Sequence, residues 1–257
     1  MEQKNDLLDM TFLIPVRIDS VIRIENLLAS IKYILDSFNT KIFVLEAASY
    51  KNGILERLLP KNVDYIFVED CDPIFYRTYY INVLVRKART KFVGIWDSDI
   101  VIDIPQIIAA VQSLRDEYEV AFPYDGRFYD TTFIIRELFI TVHDVSILKT
   151  NVDKMSLPYG HRANGGAIFI NKEDYEKAGV ENENFYGWAP EDVERKERFE
   201  KLGFKIFRAE GPLFHLSHPR DLNGKYRSEQ QKKYGLYLLE QTRNSSESNI
   251  YNLKDLL

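Results

Sequence analysis

Between residues 11 and 115, short apolar runs alternate with segments of helical period, and this alternation constrains the fold more than any other feature of the chain. Thr11-Phe12-Leu13-Ile14-Pro15-Val16-Arg17 reads as a first strand, ended by a proline and a charge. Asp19 or Ser20 is placed to cap the helix that follows. In that helix Val21, Ile24, Leu27, Leu28, Ile31, Ile34 and Leu35 recur at helical spacing. Residues 41–45 form a second strand with Glu46 at its end. Residues 63–68 form a third, followed by the acidic turn Glu69-Asp70-Cys71-Asp72-Pro73. A helix over about 77–89 leads to a fourth strand at 92–96. Asp103 and Pro105 mark the cap and first turn of a helix reaching about Arg115. Such alternation predicts a mostly parallel, Rossmann-like sheet flanked by crossover helices. Ligands of these sheets bind beyond the carboxyl ends of the strands. Arg17, Glu46, the 69–72 turn, Asp97 and Asp99 are therefore expected on one rim.

The second half is less regular. Strands are expected at 119–123, 167–170 and 205–208. Helices are expected from Lys172 to Ala178 after the cap Asn171, from Glu191 to Leu202, and from about Ser228 to Thr242. Residues 131–150 read as helix or loop without a clear period. His215 and His218 are expected in the segment after the last strand, and 244–248 as a polar spacer. With no repeat and no interdomain linker, the reading is a single domain over 1–257. About 1–115 forms its nucleotide-binding half and about 116–257 a smaller half that completes the acceptor and metal sites.

Composition mainly excludes. With 45% hydrophobic and 28% charged residues the chain is an ordinary globular one. Net charge is −5, which implies no basic face, so nucleic acid is not an expected partner. The single cysteine, Cys71, rules out an internal disulfide framework and suits a reducing compartment. Residues 1–9 lack the basic and apolar regions of a secretion signal. No apolar run approaches the ~20 residues of a membrane helix. The expectation is a cytoplasmic protein, with peripheral attachment to a membrane surface left open.

Three clusters could carry chemistry. Asp97-Ser98-Asp99 lies between two apolar runs, where an unpartnered carboxylate costs several kcal/mol. In extended chain the two carboxylates point the same way, which suits a divalent cation carrying a phosphorylated ligand. The plainer alternative is a solvated acidic turn with Asp99 as a helix cap. His215-Leu216-Ser217-His218 gathers two of the four histidines. Imidazole beside carboxylate favours manganese ahead of magnesium or calcium, although a histidine pair in a loop is more often structural. Tyr186-Gly187-Trp188-Ala189-Pro190-Glu191-Asp192 sets an aromatic platform before two acids that open a helix. Acids there are ordinary dipole partners. A carboxylate so placed can also act as a general base toward an incoming hydroxyl.

Taken in order, these pieces resemble the β-1,4-galactosyltransferase family of GT-A glycosyltransferases over most of the chain. The family's Ile-Pro-x-Arg turn matches Ile14-Pro15-Val16-Arg17. Its Phe-x-Arg-x-x-x-x-Asn segment matches Phe75 to Asn82, and its Asp-x-Asp matches Asp97-Ser98-Asp99. Its Gly-Gly strand matches Gly165-Gly166, and its Gly-Trp-Gly-Gly-Glu-Asp loop is similar to Gly187 to Asp192. Its Met-x-x-His metal segment is similar to His215 to His218. The resemblance implies that Pro15, Arg17 and Arg77 line the nucleotide-diphosphate pocket. It implies that Asp97 meets the ribose or a metal-bound water, and that Asp99 and His218 hold Mn2+, or Mg2+ in its place. Asp192 would be the catalytic base, and Glu191 and Trp188 would hold sugar. Glu46 and Gly166 complete the expected donor-binding set.

The chain also departs from the family pattern. Ala189-Pro190 stands for Gly-Gly, which stiffens the loop. Val193 stands for a further acid, and His215 for a methionine ligand. The implied activity is inverting transfer of a hexose, of galactose or N-acetylhexosamine type, from a UDP-sugar to a glycan hydroxyl. The absence of a stem or anchor points to a soluble bacterial-type enzyme of surface polysaccharide synthesis. A sugar-phosphate nucleotidyltransferase and a non-catalytic nucleotide-sugar binding protein stay open. The first usually carries an early glycine-rich phosphate loop, and residues 14–20 contain no glycine.

Overall fold

The computed structural model of the chain describes residues 4–219 and 224–246. The first half alternates as expected: β1 (Asn5–Val16), α1 (Val21–Ser37), β2 (Phe38–Ala48), the short α2 (Ile54–Leu58), β3 (Val63–Glu69), α3 (Arg77–Lys87) and β4 (Phe92–Trp96). A three-residue strand β5 (Ile100–Ile102) and α4 (Ile104–Arg115) follow directly. Ser20 caps α1, its hydroxyl accepting from the Arg23 amide. The buried stripe of α1 runs through Leu27, Ile31, Ile34 and Leu35, whereas Val21 in the first turn is exposed. Asp103 is the N-cap residue of α4, as expected, but its side chain makes no capping hydrogen bond. Its carboxylate takes Lys149 Nζ at 2.5 Å.

The second half comprises β6 (Val120–Phe122), β7 (Phe128–Asp130), α5 (Phe133–Val142), α6 (Val145–Lys149), β8 (Ala167–Asn171), α7 (Lys172–Lys177), α8 (Glu191–Lys201), β9 (Ile206–Arg208), β10 (Leu213–His215) and α9 (Glu229–Asn244). Residues 131–150, without a clear period in sequence, are therefore two helices. The period of α5 is obscured because Phe133, Ile134, Leu138 and Val142 face outward. Ile135 and Phe139 anchor α5 in a small apolar cluster, and a buried polar contact ties it to α1. The fully buried Arg136 bonds Asn26 Oδ1 at 2.7 Å and Glu25 at 2.6 Å, both on α1. Of the polar spacer, Asn244 closes α9, and Glu247 onward lies outside the described residues.

Seven strands form the main sheet in the order β3-β2-β1-β4-β8-β6-β9. All neighbours are parallel except at β8, which runs antiparallel to β4 and β6. A second sheet, β5-β10-β7, sits beside it. One buried apolar cluster extends from Leu7 to Leu213 and draws on strands of both halves. At its centre Phe12, Trp96 and Phe169 meet within 5.3–6.1 Å. Gly94 leaves room for them, since a Cβ there would collide with Phe169 at 2.9 Å. Trp96 Nε1 donates to Ser30 Oγ, which donates to the Ile100 carbonyl, tying α1 to β4 and β5. Among the described residues no helix is long and apolar enough to cross a membrane.

Candidate active site

The carboxyl ends of β1 and β4 open into a cavity of about 550 Å³ lined from both halves of the chain. That volume suits a nucleotide or sugar ligand. Pro15, Arg17, Arg77, Asp97, Asp99, Gly166, Trp188, Glu191, Asp192, His215 and His218 all line it. Glu46 does not. It was expected at a strand end, but β2 continues to Ala48 in register with β3. Glu46 is therefore inside the sheet, 2% exposed, accepting a hydrogen bond from the Tyr65 hydroxyl at 2.5 Å.

One wall groups three side chains that could hold a cation. Asp99, His215 and His218 each offer a ligand atom within 4.8 Å of the others. His218 Nε2 lies 3.1 Å from Asp99 Oδ2, and His215 Nε2 lies 3.6 Å from Asp99 Oδ1. The second sheet builds this arrangement. In it His215 pairs with Ile100, the residue after Asp99, and the Leu216 amide donates to the Asp99 carbonyl at 2.7 Å. Arg23, from the first turn of α1, reaches Asp99 Oδ2 at 3.2 Å and bonds Asp19 at 3.0 Å. Burial opposes ionisation of Asp99, but His215, His218 and Arg23 outweigh it and hold the carboxyl well below its usual range. A carboxylate facing two imidazole nitrogens is a donor set that fits a divalent ion such as manganese. All three residues expected to hold the metal are thus brought together.

A second wall is held by arginines. Arg77 opens α3 and shares its guanidinium between Asp97 Oδ1 at 2.8 Å and Asp192 Oδ1 at 3.4 Å. Arg195, 1% exposed one turn along α8, donates to Asp192 Oδ1 at 2.6 Å and to both oxygens of the buried Glu181 at 2.9 Å. Both arginines therefore take Oδ1. Oδ2 lies against Gly165, where a Cβ would collide with it. Burial pushes Asp192 up, yet Arg77 and Arg195 together hold it below its ordinary value. Its neighbour Glu191 goes the other way. Burial first, then the Asp192 charge, push its carboxyl up to about 8, and its Oε2 has no hydrogen-bond partner among the described residues. Enclosure likewise raises Asp97, with Arg77 opposing and Asp99 reinforcing.

Arg17 lines the cavity but is fully engaged. It donates to the Ala47 carbonyl at 3.0 Å, the Asp72 carbonyl at 2.6 Å and the Asp70 carboxylate at 2.5 Å, and so fixes the acidic turn after β3. Trp188 is 39% exposed and stands edge-on to Tyr226 at 4.6 Å. The loop that carries it is clamped from α9: Gln231 Nε2 donates to the carbonyls of Tyr186 at 2.7 Å and Trp188 at 3.3 Å. Gly187 adopts φ +74°, a conformation that favours glycine. The Gly-Gly pair serves packing. Gly166 has φ +87°, and a Cβ there would meet Leu213 at 2.8 Å. Its carbonyl accepts from the Asp97 amide at 2.9 Å.

The sequence did not single out Arg23, Arg195, the cavity-lining pair Phe128 and Tyr159, or Asp130, whose carboxylate lies 2.8 Å from His215 Nδ1. The i, i+3 spacing of Asp192 and Arg195 on a helix was an available signal. Phe128 and Asp130 depend on the second sheet, which the sequence does not announce, and Arg23 on the approach of α1 to Asp99.

The fold is of the GT-A type: a mostly parallel seven-stranded sheet flanked by helices, with the cavity at the strand ends. Among solved structures the chain is similar to the catalytic domain of Drosophila β1,4-galactosyltransferase 7 in complex with xylobiose. It is equally similar to a mutant of that enzyme in complex with manganese, UDP-Gal and xylobiose. In both cases the TM-score is 0.56 and the identity 16%, over 95% of this chain and 84% of the other. No family model and no curated protein matches the chain.

Proposed function

We propose that the chain is a single-domain, metal-dependent inverting glycosyltransferase that moves a hexose from a UDP-sugar to a glycan hydroxyl. The observation that carries this reading is the pairing of two unlike carboxylates in one cavity: Asp99 faces two imidazoles, and Asp192 is clamped by two arginines. The neighbour's complex with manganese, UDP-Gal and xylobiose supports the choice of cofactor, donor and acceptor class. In keeping with the family resemblance, the hexose is of galactose or N-acetylhexosamine type, the product a surface polysaccharide and the compartment the cytoplasm.

Asp99, His215 and His218 would hold the divalent ion, which supplies positive charge to the departing diphosphate. Arg77, in the same cavity, adds a fixed guanidinium where that charge develops. The acceptor oxygen attacks the anomeric carbon as the bond from that carbon to UDP breaks, which inverts its configuration. The hydroxyl proton passes to Asp192. Because the arginines keep this carboxylate ionised and take only Oδ1, Oδ2 is the oxygen that receives the proton. Glu191, neutral over much of the physiological range, can donate a hydrogen bond to a sugar hydroxyl from its buried position. Trp188 offers its exposed ring as a platform.

The test is Asp192→Asn, which keeps the shape and loses the base. Transfer should fall by about 10²–10⁴-fold, while equilibrium binding of UDP and Mn2+ stays near the wild-type value. Unchanged transfer would remove the base assignment. Unchanged UDP binding in a wild-type protein that shows no turnover would favour a nucleotide-sugar binding protein.

A further inference from the structure

We infer that Asp130 is a positioning residue for the metal centre: it accepts the Nδ1 proton of His215 and so makes Nε2 the ligating nitrogen. This rests on the reading that Asp99, His215 and His218 hold a cation. The family pattern has a methionine where His215 stands. A thioether needs no tautomer set, but an imidazole does, because only its unprotonated nitrogen can ligate. The structure contains a device for setting it.

The device is a register. In the second sheet His215 on β10 pairs with Ile100 on β5 and with Asp130 on β7. Three adjacent strands thus bring together the residue that follows Asp99, the imidazole and a second carboxylate. His215 Nδ1 lies 2.8 Å from Asp130 Oδ1, while its Nε2 faces Asp99. Phe128, two residues before Asp130 on the same face of β7, lies nearly flat against the imidazole at 5.3 Å and 28°. The ring is therefore fixed in rotation by packing and in protonation by the carboxylate. The Thr131 amide donates to the His215 carbonyl at 3.0 Å, and Thr131 Oγ1 accepts from the Ser217 amide at 2.9 Å. These bonds lock the strand that presents the ring.

His218 lacks this device. Its Nδ1 lies 2.8 Å from the Pro219 carbonyl, an acceptor, and 3.3 Å from Arg23 Nη2, a donor, while its Nε2 faces Asp99. Of the two histidines, His215 is the one with a carboxylate at Nδ1. Carboxylate partners raise the basicity of a ligating imidazole, and losing one typically costs about 10–100-fold in metal affinity.

Two measurements test this. Nitrogen chemical shifts of His215 in the unmodified, metal-free protein should show Nδ1 protonated and Nε2 unprotonated at a pH where the ring is neutral. The reverse tautomer overturns the inference without any variant. Calorimetric titration with Mn2+ should show Asp130→Asn weakened about 10–100-fold, and no further loss when that change is added to His215→Ala. Equal affinity in wild type and Asp130→Asn, or full additivity with His215→Ala, overturns the inference and leaves the transferase reading standing. A wild-type protein that binds no Mn2+ removes the metal centre itself, and this inference with it.

Discussion

The two walls of the cavity treat their carboxylates in opposite ways. Asp99 faces two imidazoles and one guanidinium, and the imidazoles can exchange a proton for a metal ion. Asp192 faces two guanidiniums, which cannot be deprotonated and do not ligate. The first environment suits a site that loads a cation. The second suits a carboxylate kept charged and ready to accept a proton. The supports differ as well. Asp99 depends on strand register in a small sheet, whereas Asp192 depends on a buried ion network in which Arg195 and Glu181 are each only 1% exposed.

The comparison can be broken most sharply at Asp99. Asp99→Ala should abolish Mn2+ binding measured by calorimetry and lower transfer by roughly 10³-fold or more, the equivalent of several kcal/mol. Mn2+ binding that survives this change would separate the histidines from the metal. Gly165→Ala addresses the other wall alone. Its added Cβ lands on the Asp192 carboxylate, and Gly165 is not among the positive-φ glycines. Turnover should drop about 10²-fold through misplacement of the base, with Mn2+ affinity unchanged. A parallel loss of metal binding would show that the two walls are not independent.

The most gradual effect is on stability. Burial and the neighbouring Asp192 charge push the Glu191 carboxyl of the folded chain up to about 8, against about 4.5 for an ordinary glutamate. Between those values the folded state binds more protons than the unfolded one. Stability therefore falls as pH rises through that window, by on the order of 1 kcal/mol per pH unit. Thermal melts of Glu191→Gln should lack this slope and exceed wild type above neutrality. Parallel melting curves across the window would show that Glu191 is charged throughout.

The same contrast explains what could be read from sequence. The main sheet was legible because its central strands are buried on both faces and read as continuous apolar runs broken by helical periods. The order of Asp97-Ser98-Asp99, Glu191-Asp192 and His215 to His218 also conveyed which residues meet. The second sheet was not legible. Its three strands have three residues each, too short for any periodic signal, and their pairing joins positions more than eighty residues apart. Asp130 could not be seen without that pairing. Glu46 was misplaced because a lone acid after an apolar run looks like a strand end. In the fold, Tyr65 satisfies it inside the sheet. Arg17 was placed correctly on the rim, but its three hydrogen bonds to the 47 and 70–72 backbone and carboxylates tie it to the fold as much as to a ligand.

The central claim, that this cavity uses a divalent cation to activate a nucleotide sugar, is tested most directly by UDP release. Purified protein would be offered a panel of UDP-hexoses with and without Mn2+. The account predicts turnover of at least one UDP-hexose that requires Mn2+ and disappears in Asp99→Ala. Absence of both binding and turnover for every UDP-hexose, in either condition, would contradict it.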